Sequence, residues 1–466
     1  MSVTAVAVDL AAEGQAAAVP ALEKSLKRRH VEMIAIGGII GAGLFVGSSS
    51  AIATAGPAAV ISYALAGLIV LLVMRMLSEM AIAIPGVQAF PDFARLGLGH
   101  WAGFVSGWLY WYFWVVVVAI EAIAGAAIVH QWLPALPTWA IGIVLMAGLT
   151  IVNLMSTRSY GEFEFWFSAI KVGAILAFII VAAAFVFGLT GTAGASWANL
   201  TGHGGFMPEG LAPVLGGVTA VIFSLVGAEI ATIAAAESEE AASTLGRMTA
   251  SVALRILIFY IASIALIVTV LPWTAIVPGE SPFAAALAAM GIPGGALAMN
   301  ILVLIAVLSC LNSGLYVTSR VLFSLASHGD APQWLVTVDR RRVPVRAILV
   351  ASLFAYAALA ASILSPGMVF AFLVNASGAL MLVIYLMIAA AQLRLRGRIE
   401  VESPGRLTVR MWLHPWGTLA AIAGMVAVLV AMAVTPGLAS QFYASLAPVA
   451  VVLAFWWGRA HRASKA

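Results

Sequence analysis

Long apolar runs alternate with short polar segments along almost the whole chain, from about residue 32 to about residue 458. Twelve runs are long enough to span a bilayer, at approximately 32–53, 57–84, 101–131, 137–155, 162–190, 212–235, 247–271, 294–326, 346–365, 368–393, 416–435 and 439–458. Each meets the requirement of about 17–25 apolar residues, and the longer ones fit by tilting. The pattern predicts an all-α polytopic membrane protein with twelve transmembrane helices. Ahead of the first run, Met1–Ala21 carries Asp9 and Glu13 and has neither a basic start nor a long apolar stretch. It reads as a disordered tail and not as a signal peptide.

The basic residues sort to one side of this pattern. Lys24, Lys27, Arg28 and Arg29 precede the first span, and Arg95, Arg158 and Arg247 lie at the second-to-third, fourth-to-fifth and sixth-to-seventh connections. Arg340, Arg341, Arg342 and Arg346 follow span 8, five arginines from Arg394 to Arg410 follow span 10, and Arg459, Arg462 and Lys465 follow span 12. Arg75, Arg255 and Arg320 lie near the same ends, and the six opposite loops carry no Lys or Arg. The positive-inside rule therefore predicts that both termini and all even-to-odd loops are cytoplasmic.

Composition agrees with the class. The chain is 63% hydrophobic and 9% charged, against about 25% charged in a soluble domain. The formal charge of +4 comes from residues at one membrane face, which does not describe a nucleic-acid-binding surface. A single cysteine, Cys310, excludes an intrachain disulfide framework and any CxxC site. All seven histidines fall in loops, tails or span edges, so no metal-ligand cluster is expected within a span. A membrane-embedded hydrolase would need buried catalytic groups that this pattern lacks.

One span is built unlike a straight helix. Gly37–Gly47 reads GGIIGAGLFVG, five glycines in eleven residues, and each costs about 0.5–1 kcal/mol in a helix interior. Broken helices are tolerated in a bilayer only where the freed peptide groups face protein, water or a ligand. The competing explanation is two GxxxG packing pairs, Gly37/Gly41 and Gly43/Gly47. Span 6 carries a second interruption, Gly227, followed by the carboxylate Glu229. Spans 1 and 6 open two five-helix sets of opposite orientation, the sequence sign of an inverted-repeat transporter with its site at the midplane. The division expected is a cytoplasmic tail (1–24), a first repeat (25–190, helices 1–5), a second repeat (191–393, helices 6–10), and helices 11–12 with a cytoplasmic C-terminus (394–466).

Such breaks have definite chemistry. N–H groups around Gly41, Ala42 and Gly43, at the positive end of a half-helix, suit a carboxylate. Free carbonyls around Ile39 and Ile40, and from Phe223 through Ser224 to Val226 beside Gly227, suit an ammonium group. A zwitterion matches both polarities, whereas a sugar or a simple ion needs only one.

Three ionisable residues lie deep in the spans: Glu121, Lys171 and Glu229. Each costs about 2.5–3.5 kcal/mol on insertion scales, so function is the default reading. Lys171 sits about 9 residues, or roughly 13 Å, from the cytoplasmic end of span 5. It either exchanges a proton during a transport cycle or snorkels to the interface. Glu229 either binds an ammonium or carries a proton, or it caps N–H groups freed by the break. Glu121 is either a substrate contact or a buried acid paired with another helix. In the aromatic stretch Trp108–Trp114, Trp111 and Trp114 lie too deep for the interface and either wall the site or pack. In span 8, Ser309, Asn312, Ser313 and Tyr316 either line a pathway or hydrogen-bond between helices.

Over residues 24–460 the chain resembles the amino-acid permeases of the amino acid/polyamine/organocation superfamily. The matching segments are LKRRHVEMIAIGGIIGAGLFVGSSSAIATAGP, VMRMLSEMA, GWLYWYFW, SYGEFEFWFSAIKV, GGFMPEG, GAEIATIAAAESEE and SCLNSGLYVTSR. GAEIATIAAAES, YGEFEFW and GGFMPEG are most similar to γ-aminobutyrate (GABA) permeases. Residues 83–99, AIPGVQAFPDFARLGLG, depart from the Ser/Thr-rich, tyrosine-containing loop of that pattern. The resemblance implies a leucine-transporter-like fold in the bacterial inner membrane and proton-driven uptake. It also implies that the Lys171 ammonium replaces a sodium ion, bridging span 1 carbonyls and span 8. The GIIGAG backbone would bind the substrate carboxylate, and Phe223 would sit at an aromatic gate.

The resulting expectation is a proton-coupled symporter for a small zwitterionic amino acid, GABA first, with no metal, sodium or organic cofactor. An amino-acid exchanger, a permease for proline, lysine or aromatic amino acids, and a non-transporting sensor are the alternatives.

Overall fold

The computed structural model describes residues 33, 40–84, 87, 90–155, 157–190, 197–227, 229, 256–361 and 366–463. Every regular element among them is helical. The break region opens with α1 (Ala42–Phe45) and α2 (Ser48–Ala55), followed by α3 (Ala59–Ala83) and a short α4 (Phe90–Leu98). Then come α5 (His100–Trp132), α6 (Thr138–Met155), α7 (Thr157–Val186) and α8 (Leu211–Leu225). A π-helical segment, Ile256–Ala262, leads into α9 (Ser263–Val270), and α10 (Pro282–Ala289) covers the next connection. The chain ends with α11 (Gly295–Ser327), α12 (Val345–Ala361), α13 (Pro366–Glu402), α14 (Trp416–Val434) and α15 (Ala439–Ala463).

Each predicted apolar run contains helix among the described residues. Eight of the described helices are long and apolar enough to cross a membrane, counting Ala42–Ala83 as one. Leu211–Leu225, Ile258–Val270 and Val345–Ala357 are apolar but shorter. The structure adds two helices that the hydropathy pattern does not show. α4 lies in what reads as a loop, and its Phe93, Ala94 and Leu96 are buried beside Asp92 and Arg95. α10 starts at Ser281, whose hydroxyl accepts from the Ala284 N–H. α13 also runs past its apolar stretch to Glu402, where Arg396 and Glu400 pair one turn apart.

α5 is apolar on every side because it has no lipid face over most of its length, and most of its residues are buried. It packs along α11, and α8 packs against α2, α3, α13 and α14. α6 and α15 bury far less and form the lipid-facing periphery. α8 and α13 approach each other closely at Gly378. A Cβ at Gly378 would lie 1.9 Å from the Thr219 carbonyl oxygen, so only glycine fits there. Thr219 also donates to Asn375 Oδ1 at 3.2 Å.

Two charged clusters fasten the end that the arginine pattern marks as cytoplasmic. Buried Glu79 on α3 accepts from Gln392 and Arg396 on α13 and from the Met411 N–H. Gln392 in turn accepts from Thr418 on α14. The Asp330 carboxylate, beyond α11, pairs with Arg95, His100 and Arg459, tying α4, α5 and α15 together. Burial alone would raise the Asp330 carboxyl, but the His100 hydrogen bond and the Arg95 guanidinium hold it below the usual range.

The α8–α13 contact makes a paired prediction. Gly378→Ala forces two backbones apart and costs about 1–3 kcal/mol. Gly424→Ala on α14, where a Cβ meets nothing within 4 Å, is neutral or gains up to about 1 kcal/mol. Thermal unfolding in detergent should show opposite or clearly separated shifts. Equal Tm values for the two variants would contradict the packing described here.

Candidate functional site

Among the described residues, the chain is non-helical at both positions the glycines mark, Ile40–Gly41 and Val226–Gly227. α1 begins only at Ala42, with Gly41 extended before it (φ −135°, ψ −151°). α8 stops at Leu225, and Val226 turns into an extended conformation. Gly227 follows with φ 116°, a backbone region closed to residues with a Cβ. The breaks meet: a Cβ on Gly43 would lie 2.7 Å from Ser224 Cα. Ile39 lies outside the described residues, as do 230–255. Ile40 is fully buried.

Each break has its own carboxylate. The Ala42 N–H donates to both Glu121 oxygens, at 3.1 and 3.0 Å. The Gly227 N–H donates to both Glu229 oxygens, at 3.0 and 3.1 Å. Glu121 reaches α1 from α5, 79 residues away, whereas Glu229 folds back from two residues on. Both N–H groups are thus satisfied by charge-assisted bonds, and at Ala42 the carboxylate also meets the positive end of α1. Glu121 is here a buried acid bonded to another helix, and Glu229 bonds an N–H at the end of α8 as a capping carboxylate does. Tyr110 and Tyr385 add hydroxyl donors to Glu229, each at 3.5 Å.

The carbonyl side is partly engaged. The Ser224 carbonyl accepts from Tyr260 Oη at 2.9 Å, and the Ser224 hydroxyl donates back to Val221. Tyr260 lies in the π-helical segment, whose extra backbone width turns it toward the break.

Between the breaks lies a small cavity of about 10 Å³, lined by Gly43, Trp114, Glu121, Phe223, Ser224 and Val226, with Phe113, Val117 and Cys310 completing the wall. Such a space holds about one water. Gly41 closes it tightly, since a Cβ there would lie 2.5 Å from Glu121 Oε1 and 2.6 Å from Cys310 Cβ. Trp111 is elsewhere, edge-on to Trp108 and Phe354. A larger cavity of about 450 Å³ opens at the far end of α5 from the arginine-rich face, with Val46, Ile123, Gln131, Glu280 and Asn300 among its walls. Val46 and Ile123 are three and two residues from Gly43 and Glu121, so the same two stretches of chain line both cavities.

Lys171 is fully buried, which removes the snorkelling alternative. Its Nζ donates to Ser309 Oγ on α11 at 2.7 Å and lies 3.7 Å from Glu164 Oε1. Ser309 donates to that same Glu164 oxygen through a short hydrogen bond. The span 8 half of the expected bridge is therefore present, while residues 34–39 of span 1 lie outside the described residues. Glu164 is missing from the sequence reading although its signal is there. It stands seven residues before Lys171 on one helix, which places both on one face. Elsewhere in span 8, Asn312 accepts from Asn153 at 2.9 Å, Ser313 pairs with Tyr160, and Tyr316 stacks on Tyr160. These residues join helices.

Residues 30–465 match the family model described as amino acid permease. A γ-aminobutyric acid permease of Bacillus subtilis (strain 168) is 50% identical over 413 residues, covering 88% of this chain and 88% of the relative. The aromatic amino acid transport protein AroP of Corynebacterium glutamicum is 39% identical over 442 residues, covering 93% and 94%. Among solved structures, the Eremococcus coleocola manganese transporter mutant H236A superposes with a TM-score of 0.58 at 12% identity, over 92% of this chain and 93% of that one. That likeness concerns the fold alone.

The capping geometry predicts that Glu121→Ala, by stranding the Ala42 N–H, costs about 1–3 kcal/mol, whereas Glu121→Gln recovers part of the loss through its carbonyl oxygen. Gly41→Ala should be worse than either, because its Cβ enters the Glu121 and Cys310 side chains. Thermal unfolding of the purified variants orders the three. A Glu121→Ala protein as stable as wild type would contradict the capping role.

Proposed function

The chain belongs to the amino acid permease family, and from that premise we propose that it is a proton-coupled symporter importing a small zwitterionic amino acid, with GABA the leading candidate. The observation that carries this reading is the meeting of the start of α1 and the end of α8 around a small central cavity, with a buried lysine near it. The breaks offer donors at Ala42 and Gly43 to a carboxylate. In this reading carbonyls at Ile40 and along Phe223–Val226 receive the ammonium, with Tyr260 giving up the Ser224 carbonyl, and Trp114 and Phe223 wall the space. The 50% identity to the B. subtilis permease over 88% of the chain supports GABA, and the aromatic-transporter relative keeps larger amino acids as the second reading.

In this proposal the twelve apolar runs all cross the membrane, with both termini cytoplasmic and helices 1–5 and 6–10 forming inverted halves. Alternating access follows from cavity size. A space for one water must open for an amino acid, and the 450 Å³ outer cavity is lined by the same two stretches of chain. Lys171 and Glu229 carry the coupling charge, and Glu121 yields the Ala42 N–H to the substrate carboxylate. Protons supply the drive, with neither sodium nor a metal. One charge crossing 100 mV is worth about 2.3 kcal/mol, or roughly 50-fold accumulation.

Purified protein in proteoliposomes tests the reading. An inside-alkaline pH gradient should drive GABA accumulation, with unlabelled GABA competing better than proline, lysine or phenylalanine. Lys171→Ala should abolish the response to the gradient. Accumulation that ignores the pH gradient, with efflux stimulated only by external amino acid, would make the protein an exchanger and contradict the symport reading.

A further inference from the structure

The proposed coupling role of Lys171 leaves one buried acid without a task. Glu164 is wholly inaccessible, and among the described residues its Oε2 has no hydrogen-bond partner. Its other oxygen accepts from two hydroxyls, Ser309 by a short bond and Ser168 at 3.4 Å. A buried carboxylate with an idle oxygen is costly to keep unless it is used.

The hydrogen bonds run in one direction. Lys171 Nζ donates to Ser309 Oγ, and Ser309 Oγ donates to Glu164 Oε1. This is the donor order of a proton wire. Glu164 stands seven residues nearer the start of α7, about 10 Å along the axis at 1.5 Å per residue. That start is the arginine-marked end. The remaining ionisable groups acting on Lys171 are Glu121 on α5 and Cys310 on α11, on the side of the central cavity. Lys171 thus interacts with Glu164 on one hand and with two residues that line the central cavity, Glu121 and Cys310, on the other.

Building on the symport reading, we propose that Ser309 relays the transported proton from Lys171 to Glu164, which releases it toward the cytoplasmic side. In the relay a Lys171 N–H bond breaks as an O–H bond forms on Ser309, and the original Ser309 O–H bond breaks as one forms on Glu164 Oε1. The ammonium–carboxylate pair becomes an amine and a carboxylic acid, with no change in net charge. Glu164 then loses its proton to cytoplasmic water, and Lys171 takes the next from the central cavity. Glu164 is a proton-carrying residue and does not touch the substrate.

The test compares wild type with Glu164→Gln, Ser309→Ala and Ser309→Thr in proteoliposomes, each assayed for pH-driven GABA accumulation and for GABA counterflow without a pH gradient. Wild type must first accumulate GABA in response to pH; if it does not, the symport reading fails and the relay fails with it. Given that response, Glu164→Gln should lose at least tenfold in pH-driven accumulation while still catalysing counterflow. Ser309→Ala should behave likewise, and Ser309→Thr, which restores a hydroxyl, should recover most of the gradient response. Wild-type accumulation and pH profile in Glu164→Gln would overturn the relay and leave symport standing. If Glu164→Gln does not fold, the serine pair decides: equal gradient responses in Ser309→Ala and Ser309→Thr overturn the proposal.

Discussion

The structure depends on what becomes of peptide groups that helices leave unpaired inside a membrane. An unsatisfied N–H or C=O in hydrocarbon costs several kcal/mol, and this chain contains two such breaks, before Ala42 and after Leu225. At both, one N–H is gripped by both oxygens of a carboxylate at 3.0–3.1 Å. The acids come from different places, α5 for one and the adjoining chain for the other. The shared solution is chemical and not a repeat of sequence. A carboxylate seated at the start of α1 supports the proposed role of that end in binding a substrate carboxylate.

The rest of the buried charge follows the same economy of partners. Glu79 is satisfied by an arginine, a glutamine and a backbone N–H where α3, α13 and the approach to α14 converge. Asp330 gathers Arg95, His100 and Arg459. Both oxygens of each carboxylate are engaged, and both clusters sit at the arginine-rich end, as fixed fasteners should. The Lys171–Ser309–Glu164 group differs, being buried with one Glu164 oxygen unbonded among the described residues. Clusters with both oxygens engaged hold helices in place, whereas an under-coordinated one can change its protonation without dismantling the packing around it.

Much of this is legible in the residues, for identifiable reasons. Hydropathy runs locate the long helices because a bilayer demands sustained apolarity, and the glycines of GGIIGAGLFVG mark the first break because their cost in a helix needs a reason. Gly227 marks the second, and its positive φ explains the residue type. Partner choice is what one dimension conceals. That Glu121 reaches Ala42 depends on α5 crossing α1, which no local spacing encodes. Glu164 was within reach, since its seven-residue offset from Lys171 is a helical-face signal, but a carboxylate near a span end resembles an ordinary interfacial charge. α4 escaped notice because nine residues are too few to register as a span. The inward segments around Ile39 and the acidic run at Glu237, Glu239 and Glu240 lie outside the described residues.

The central claim is that the two breaks form a site for a zwitterion, with a substrate carboxylate taking the place Glu121 holds beside Ala42. A structure of the protein determined with bound GABA tests it most directly. The account predicts the ligand between α1 and α8, its carboxylate within about 3 Å of the Ala42 or Gly43 N–H, the usual hydrogen-bond length, and Glu121 withdrawn. Ligand density confined to the outer cavity, with Glu121 still on Ala42, would contradict it.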